Sequence, residues 1–250
     1  MFNNVVPITK DAHKKKKIKP LKNFEFAGGV NLASIMVHEF SRAASTYPII
    51  FLEDQENDRF RPTVLLGLEQ GENLFVTEDG RWKASYIPAI IRRYPFSLAK
   101  TDEDGRFTIC IDEDSDLVND KEGQELFDKK GEPAEVMDRV KKYLGELQMM
   151  EAFTEEFCKY MSNLNMFTPL NMKVRLADEI KSISGAYVIN EERLNSLSDE
   201  KFLDMREKRY LPVVYSHLAS LAQIERLLGF KDQDAVTIGE VDRFEDKQVN

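Results

Sequence analysis

The alternation of apolar and polar residues predicts several strands. The short runs "IIFLED" and "PTVLLGLE" flank the polar loop "DQENDR", so they predict two strands of one sheet. "NLFVTEDGRWKASYI" predicts a continuation of that sheet with a tight turn at Asp79 and Gly80. "FSLAKTDEDGRFTICIDED" predicts a hairpin that turns at Asp104 and Gly105. "FTPLNMKVRL" and "GAYVIN" predict two more strands, and together these runs favour a mixed or antiparallel sheet.

Helical spacing appears in four places. Apolar residues three and four positions apart in "NLASIMVHEFSRAASTYP" predict a first helix that begins near Asn31 and stops at Pro48. "YIPAIIRRYP" predicts a helix of two turns. The longest signal covers 134–164, and the segment 191–229 predicts a run of short helices with Ser198 as an N-cap.

These elements predict an α+β fold in which a long helix and a helical C-terminal part cover the sheet. We expect a flexible basic arm over 1–23, one compact domain over 24–230 and a loosely ordered tail over 231–250. A division into two lobes near residue 132 is the alternative. The apolar seam of the 134–164 helix suits either a core helix or a homodimer interface.

Charge and length narrow the partner classes. The 250 residues carry a net charge of -9, which repels nucleic acid and anionic lipid at long range. Residues 10–22 reverse this balance locally, because seven lysines accompany one aspartate there.

No apolar run approaches the roughly 20 residues of a membrane span, and no signal peptide is evident. We expect a cytoplasmic protein without nucleic acid or membrane insertion, with signal-independent export as the alternative.

Motifs for cofactors and metals are weak. No glycine-rich phosphate loop or nucleophile elbow is present. Asp112, Asp114 and Asp116 begin like a calcium loop, but Leu117 and Gly123 stand where that loop needs glycine and glutamate. We therefore predict no metal and no cofactor, and the sequence leans away from an enzyme.

The segment "GRWKASYIPAIIRRYPFSLA" concentrates side chains typical of binding hot spots. Its candidate residues are Trp82, Tyr86, Arg92, Arg93 and Tyr94. They predict either core packing or a cleft for a peptide segment or a carboxylated ligand.

In an enzymatic version of that cleft, an arginine would hold a carboxylate, and His38 or Glu39, on the predicted first helix, would move a proton.

Several strings resemble the SapC family of bacterial proteins. They are "YPIIFLED", "LLGLEQGENLFVTEDGRWKASYIPAIIRRYPFSLA", "CIDEDSDLV" and "ERLNSLSDEKFLDMREKRYLPVVYSHLASLAQIERL", in this order. The resemblance implies a connection with surface-layer (S-layer) proteins and with their secretion, and it supplies no catalytic residues.

Three functions follow as hypotheses. The first is a non-enzymatic accessory protein in S-layer protein production or export, which binds a surface-layer or secretion-system protein. The second is an enzyme or ligand-binding protein in a peptide or amino-acid modification pathway, and the third is an S-layer structural component.

Overall fold

Three antiparallel sheets are present in the computed structural model, which describes residues 1–100, 107–176 and 179–231. The strands are β1 (Val5–Pro7), β2 (Lys17–Ile18), β3 (Leu32–Ser34), β4 (Ile49–Asp54), β5 (Arg59–Leu65), β6 (Phe96–Lys100), β7 (Phe107–Asp112), β8 (Val118–Asn119), β9 (Gln124–Glu125), β10 (Phe167–Leu176) and β11 (Glu179–Ile189). Their orders are β1-β7-β6, β10-β11-β4-β5-β3 and β8-β2-β9. The predicted antiparallel sheet is confirmed.

Helices join and cover these sheets. They are α1 (Lys10–His13), α2 (Phe40–Ala43), α3 (Ala89–Arg92), α4 (Glu135–Asn163), α5 (Glu191–Asn195), α6 (Asp199–Glu207), α7 (Leu211–Ser220) and α8 (Gln223–Lys231). Ser198 caps α6 by accepting from the Lys201 N–H, as its position before an acidic turn predicts. The α+β class, the long helix and the helical C-terminal part are therefore confirmed.

Helix α4 packs on two apolar clusters. The larger cluster lies between the five-stranded sheet, the C-terminal half of α4 and the C-terminal helices. The smaller cluster joins β2, β6 and β7 to the N-terminal half of α4 and consists of Ile18, Phe96, Ile111, Leu126, Phe127, Met137 and Leu144. Because this cluster takes side chains from both sides of residue 132, the apolar packing does not divide there.

The helix predicted over 31–47 is wrong in its first half. Residues 32–34 form β3, which pairs with β5 and places Ala33 opposite Val64. Ala33, Ile35 and Val37 are buried, which is the period of two expected of an extended chain. The sequence of this segment therefore fits both the helical spacing and the period of two of a strand, and pairing with β5 stabilises the strand.

The sheet continuation predicted for 73–87 is also wrong. This segment is a loop with one isolated bridge, between Val76 and Trp82. The Asn73 side chain donates to the Ala27 carbonyl at 2.9 Å and accepts from the Phe75 N–H at 3.0 Å. Its apolar residues are anchors of the loop, and Phe75 is fully buried.

The N-terminal segment 1–23 is not a detached arm in the structure. Strand β1 pairs with β7, and β2 lies between β8 and β9. His13 and Ile18 lie between the lysines in sequence but are buried, so the segment packs on the rest of the protein. Several lysines lie at the surface in ion pairs, such as Lys16 with Asp120 at 3.2 Å.

Two predicted features fall outside the described residues. They are the turn at Asp104 and Gly105 and the tail beyond residue 231. Within the described ranges, no helix is long and apolar enough to cross a bilayer.

Removal of residues 1–7 tests the integration of the N-terminal segment. Asp112 is fully buried and accepts from the Asn3 and Asn4 N–H groups at 3.1 and 2.9 Å. We expect this truncation to lower the free energy of unfolding in urea by at least about 2 kcal/mol, because it removes two backbone donors from a buried carboxylate. Asn4→Ala keeps both backbone donors and should be nearly neutral. Equal stability of the truncated and full chains would contradict the prediction.

His217 predicts a pH dependence. Its Nε2 accepts from the Ile189 N–H at 3.0 Å, and burial lowers its pKa from 6.5 to about 4. The imidazole of His217 is therefore protonated below about pH 6.5 in the unfolded chain, but only below about pH 4 in the folded chain. Stability is full above this window and falls through it, by on the order of 3 kcal/mol. Urea unfolding from pH 7 to 4 should show this loss in the wild type relative to His217→Gln. If the free energies of unfolding of the two proteins depend on pH in the same way, His217 is not the group responsible.

Candidate functional site

The buried Glu39 carboxylate positions the helix that carries the arginine pair. One carboxylate oxygen accepts from the Ala89 N–H, the first of α3, at 2.8 Å and from the Tyr86 hydroxyl at 2.5 Å. The other oxygen accepts from the Met36 N–H at 2.9 Å. Three donors from separate segments satisfy this carboxylate, so Glu39 fixes where α3 begins.

Trp82 and Tyr86 are packing residues. The Trp82 indole N–H donates to the Tyr47 hydroxyl at 2.8 Å and to the Tyr86 carbonyl at 3.1 Å. The Tyr47 hydroxyl also donates to the Tyr86 carbonyl. Burial, followed by the bond to Glu39, raises the pKa of Tyr86. These polar groups are used inside the protein, as the core-packing interpretation expects.

Tyr94 is packed in the same way. It is buried, and its ring stacks on Phe26 with 4.0 Å between the ring centroids. The Phe2 ring lies 5.4 Å from it on another side. The aromatic members of the predicted hot spot therefore hold loops together.

Arg92 and Arg93 differ in environment. Arg92 is exposed; its Nε donates to the Ile87 carbonyl at 2.9 Å, and its guanidinium lies over the rings of Tyr86 and Tyr143. Arg93 is half-buried, and its buried Nε has no hydrogen-bond partner. Burial lowers the pKa of Arg93, while the charge of Glu151 opposes this effect.

Both arginines line a cavity of about 430 Å³ between α3, α4 and the segment after β2, which we name the basic cleft. Its lining residues are Ile18, Lys19, Pro20, Leu21, Arg92, Arg93, Tyr94, Pro95, Phe96, Gln124, Val136, Arg139, Val140, Tyr143 and Leu144. Four of them are cations, and none is a carboxylate. Apolar side chains and Tyr143 form the rest of the wall, so the cleft suits an anion with an apolar body.

Two of the cations are already paired at the rim. Lys19 lies 2.9 Å from Glu122, and Arg139 lies 2.6 Å from Glu135. Arg93 forms no hydrogen bond or ion pair with any residue the structure describes. Arg93 is therefore the cation most available to a ligand.

Sequence reasoning missed Lys19, Arg139 and Tyr143. Tyr143 lies within the predicted 134–164 helix, and Lys19 lies within the predicted basic arm. Arg139 lies three and four residues from the seam positions Val136 and Tyr143, so it shares their face. A charge at that spacing on a buried seam is a signal that could have found it.

The other candidate residues lie outside the cleft lining. His38 is exposed, and its ring lies 5.1 Å from that of Phe153. Glu39 is buried beneath the start of α3, where its carboxylate accepts from Ala89 and Tyr86. Asp112, the first aspartate of the calcium-like run, already accepts from two backbone N–H groups.

The fold and the cleft together define an α+β protein with a basic, partly apolar cavity between a short helix and a long one. The sequence model of the SapC family matches residues 8–227, so the chain belongs to the SapC family. No curated protein and no solved structure matches it.

Glu39→Gln tests the support of α3. An amide turns one acceptor oxygen into a donor, so at least one of three buried donors loses its partner. We expect the free energy of unfolding to fall by about 1–3 kcal/mol. Tyr86→Phe removes a single donor and should cost less than Glu39→Gln. A Gln variant as stable as the wild type in urea unfolding would refute the role of Glu39.

Proposed function

We propose that the protein is a non-enzymatic binding protein that holds a carboxylate group of a partner polypeptide in the basic cleft. The observation that carries this proposal is the half-buried Arg93: its buried Nε has no hydrogen-bond partner, and its guanidinium lies 5.7 Å from the centroid of the Phe2 ring with no ion-pair partner among the described residues. A partly desolvated cation without an ion pair costs free energy, and a bound anion offsets that cost.

A carboxylate fits this site better than other groups. An arginine fork binds a carboxylate through two parallel N–H···O bonds. Arg92 adds positive charge beside Arg93, Arg139 adds a guanidinium that is paired with Glu135 at the rim, and none of the lining side chains is a carboxylate. The protein as a whole carries a net charge of -9, so attraction for an acidic segment is a local property of the cleft.

A polypeptide fits the rest of the cleft. Val136, Val140 and Leu144 form an apolar strip of α4 beside the cations. A peptide side chain can pack on this strip while a carboxylate binds Arg93. The lining contains no histidine, cysteine, aspartate or glutamate among the described residues, which favours binding over catalysis.

The family resemblance indicates the partner class. Within the proposal, the partner is a surface-layer or secretion-system protein, and the chain acts as its accessory during production or export. The carboxylate comes either from an acidic side chain or from the partner's C-terminus, since both present the same two oxygens to Arg93.

Arg93→Met is the direct test. The full-length protein would be titrated into labelled peptides that end in Asp-Glu with a free C-terminus, in Asp-Glu-amide and in Asn-Gln-amide. We expect Arg93→Met to bind the acidic peptides at least about ten-fold more weakly, because a charge-assisted hydrogen bond is worth about 1.5–3 kcal/mol. Its free energy of unfolding should be nearly unchanged, because methionine keeps the packing on Phe2, and removal of a half-buried cation without an ion pair offsets the lost cation–π contact.

Arg81→Gln is the matched control, since Arg81 is an exposed arginine paired with Asp79 on the loop. Equal binding by wild type and Arg93→Met, or equal binding of acidic and Asn-Gln-amide peptides, would overturn the proposal. A photo-crosslinking residue at Tyr143 should in addition capture a surface-layer or secretion-system protein in cells, whereas one at Arg81 should not.

A further inference from the structure

Arg93 also lines a second cavity, of about 260 Å³. Its lining residues are Ser34, Ile35, Met36, Arg59, Phe60, Arg61, Pro62, Ile90, Arg93, Leu147, Glu151, Thr154 and Glu155. We name it the charged pocket. It lies between β5, α3 and the middle of α4, and it shares only Arg93 with the basic cleft.

Most charged side chains that line the charged pocket already have ion-pair partners. Arg59 lies 2.7 Å from Glu155 and 3.1 Å from Asp54. Arg61 lies 2.7 Å from Asp54. These groups neutralise one another and have ion-pair partners without a ligand.

Two opposite charges remain. Arg93 and the exposed Glu151 have no ion-pair partner in the described ranges; the buried Nε of Arg93 has no hydrogen-bond partner, and its guanidinium lies over the Phe2 ring, 5.7 Å from the centroid. The Glu151 charge nevertheless acts on Arg93, because it opposes the lowering of the Arg93 pKa by burial. The pocket therefore places one available cation and one available carboxylate in its wall.

The remaining wall is largely apolar. Ile35, Met36, Ile90 and Leu147 contribute side chains to it. Thr154 adds no free hydroxyl, since its Oγ1 accepts from the Val37 N–H at 3.0 Å and donates to the Met150 carbonyl at 2.7 Å. A ligand here meets one charge of each sign and a surface that favours aliphatic or aromatic groups.

We propose that the charged pocket binds a free α-amino acid with an apolar side chain. Its carboxylate binds Arg93, its ammonium group binds Glu151, and its side chain packs on the apolar wall. The volume lies just below the roughly 300–1,000 Å³ of pockets for drug-sized molecules, which suits a single amino acid. This site goes beyond the peptide-binding role, because the ligand class and the Glu151 contact are different.

Calorimetric titration of the full-length protein with l-leucine, l-methionine and l-phenylalanine tests the proposal. We expect at least one of them to bind. Its N-acetyl derivative lacks the ammonium charge and its amide lacks the carboxylate, so each should bind at least about ten-fold more weakly. If none of the three amino acids binds, or if the capped forms bind as well as the free one, the proposal is wrong.

Variants assign the contacts. Glu151→Gln should reduce affinity for the free amino acid about ten-fold and leave that for the N-acetyl form unchanged. Glu156→Gln is the matched control, since Glu156 is an exposed glutamate of α4 outside the pocket lining. If Glu151→Gln and Glu156→Gln behave alike, Glu151 does not bind the ammonium group. Arg139→Gln should weaken acidic peptides and spare the amino acid, so failure of one site is distinguishable from failure of the other.

Discussion

The site depends on one buried carboxylate, that of Glu39. A buried carboxylate is costly unless hydrogen-bond donors replace its water, and here Met36, Tyr86 and Ala89 supply them. These donors come from an extended residue, a loop and the start of α3. Helix α3 has only four residues, too few to be stable alone, so the Glu39 bonds determine where it sits. Its position in turn determines where Arg92 and Arg93 project.

Helix α4 supplies the opposite wall of both cavities. Val136, Val140 and Tyr143 face the basic cleft, and Leu147 and Glu151 face the charged pocket. Their spacings of three and four place them on one continuous face of the helix. The seam that the sequence assigned to core packing or to a dimer thus also lines two cavities, with Arg93 between them.

Local patterns predicted the elements whose partners are close in sequence. The β4–β5 hairpin and α4 follow from one dominant period each, and both were found. The segment 31–37 carries two periods, and only the distant partner β5 decides between them. The N-terminal lysines concealed a buried Ile18, because a count of charges does not show which side chain points inward. Long-range pairing is the information that a single sequence lacks.

The sequence likewise predicted only part of the candidate site. Composition identified the segment, but it gave aromatic and arginine residues equal weight. In the structure the two types separate, because Trp82 and Tyr86 bond to each other and to Tyr47 and Glu39, and Tyr94 stacks on Phe26. Arg93 lines both cavities; its buried Nε has no hydrogen-bond partner, and its guanidinium contacts only the Phe2 ring among the described residues. Unpaired buried polar groups are rare in folded proteins because they cost free energy. A half-buried cation without an ion pair in the described chain therefore reduces stability. Such a cost is retained where a ligand offsets it, and for this reason Arg93 indicates function more strongly than the aromatic residues around it.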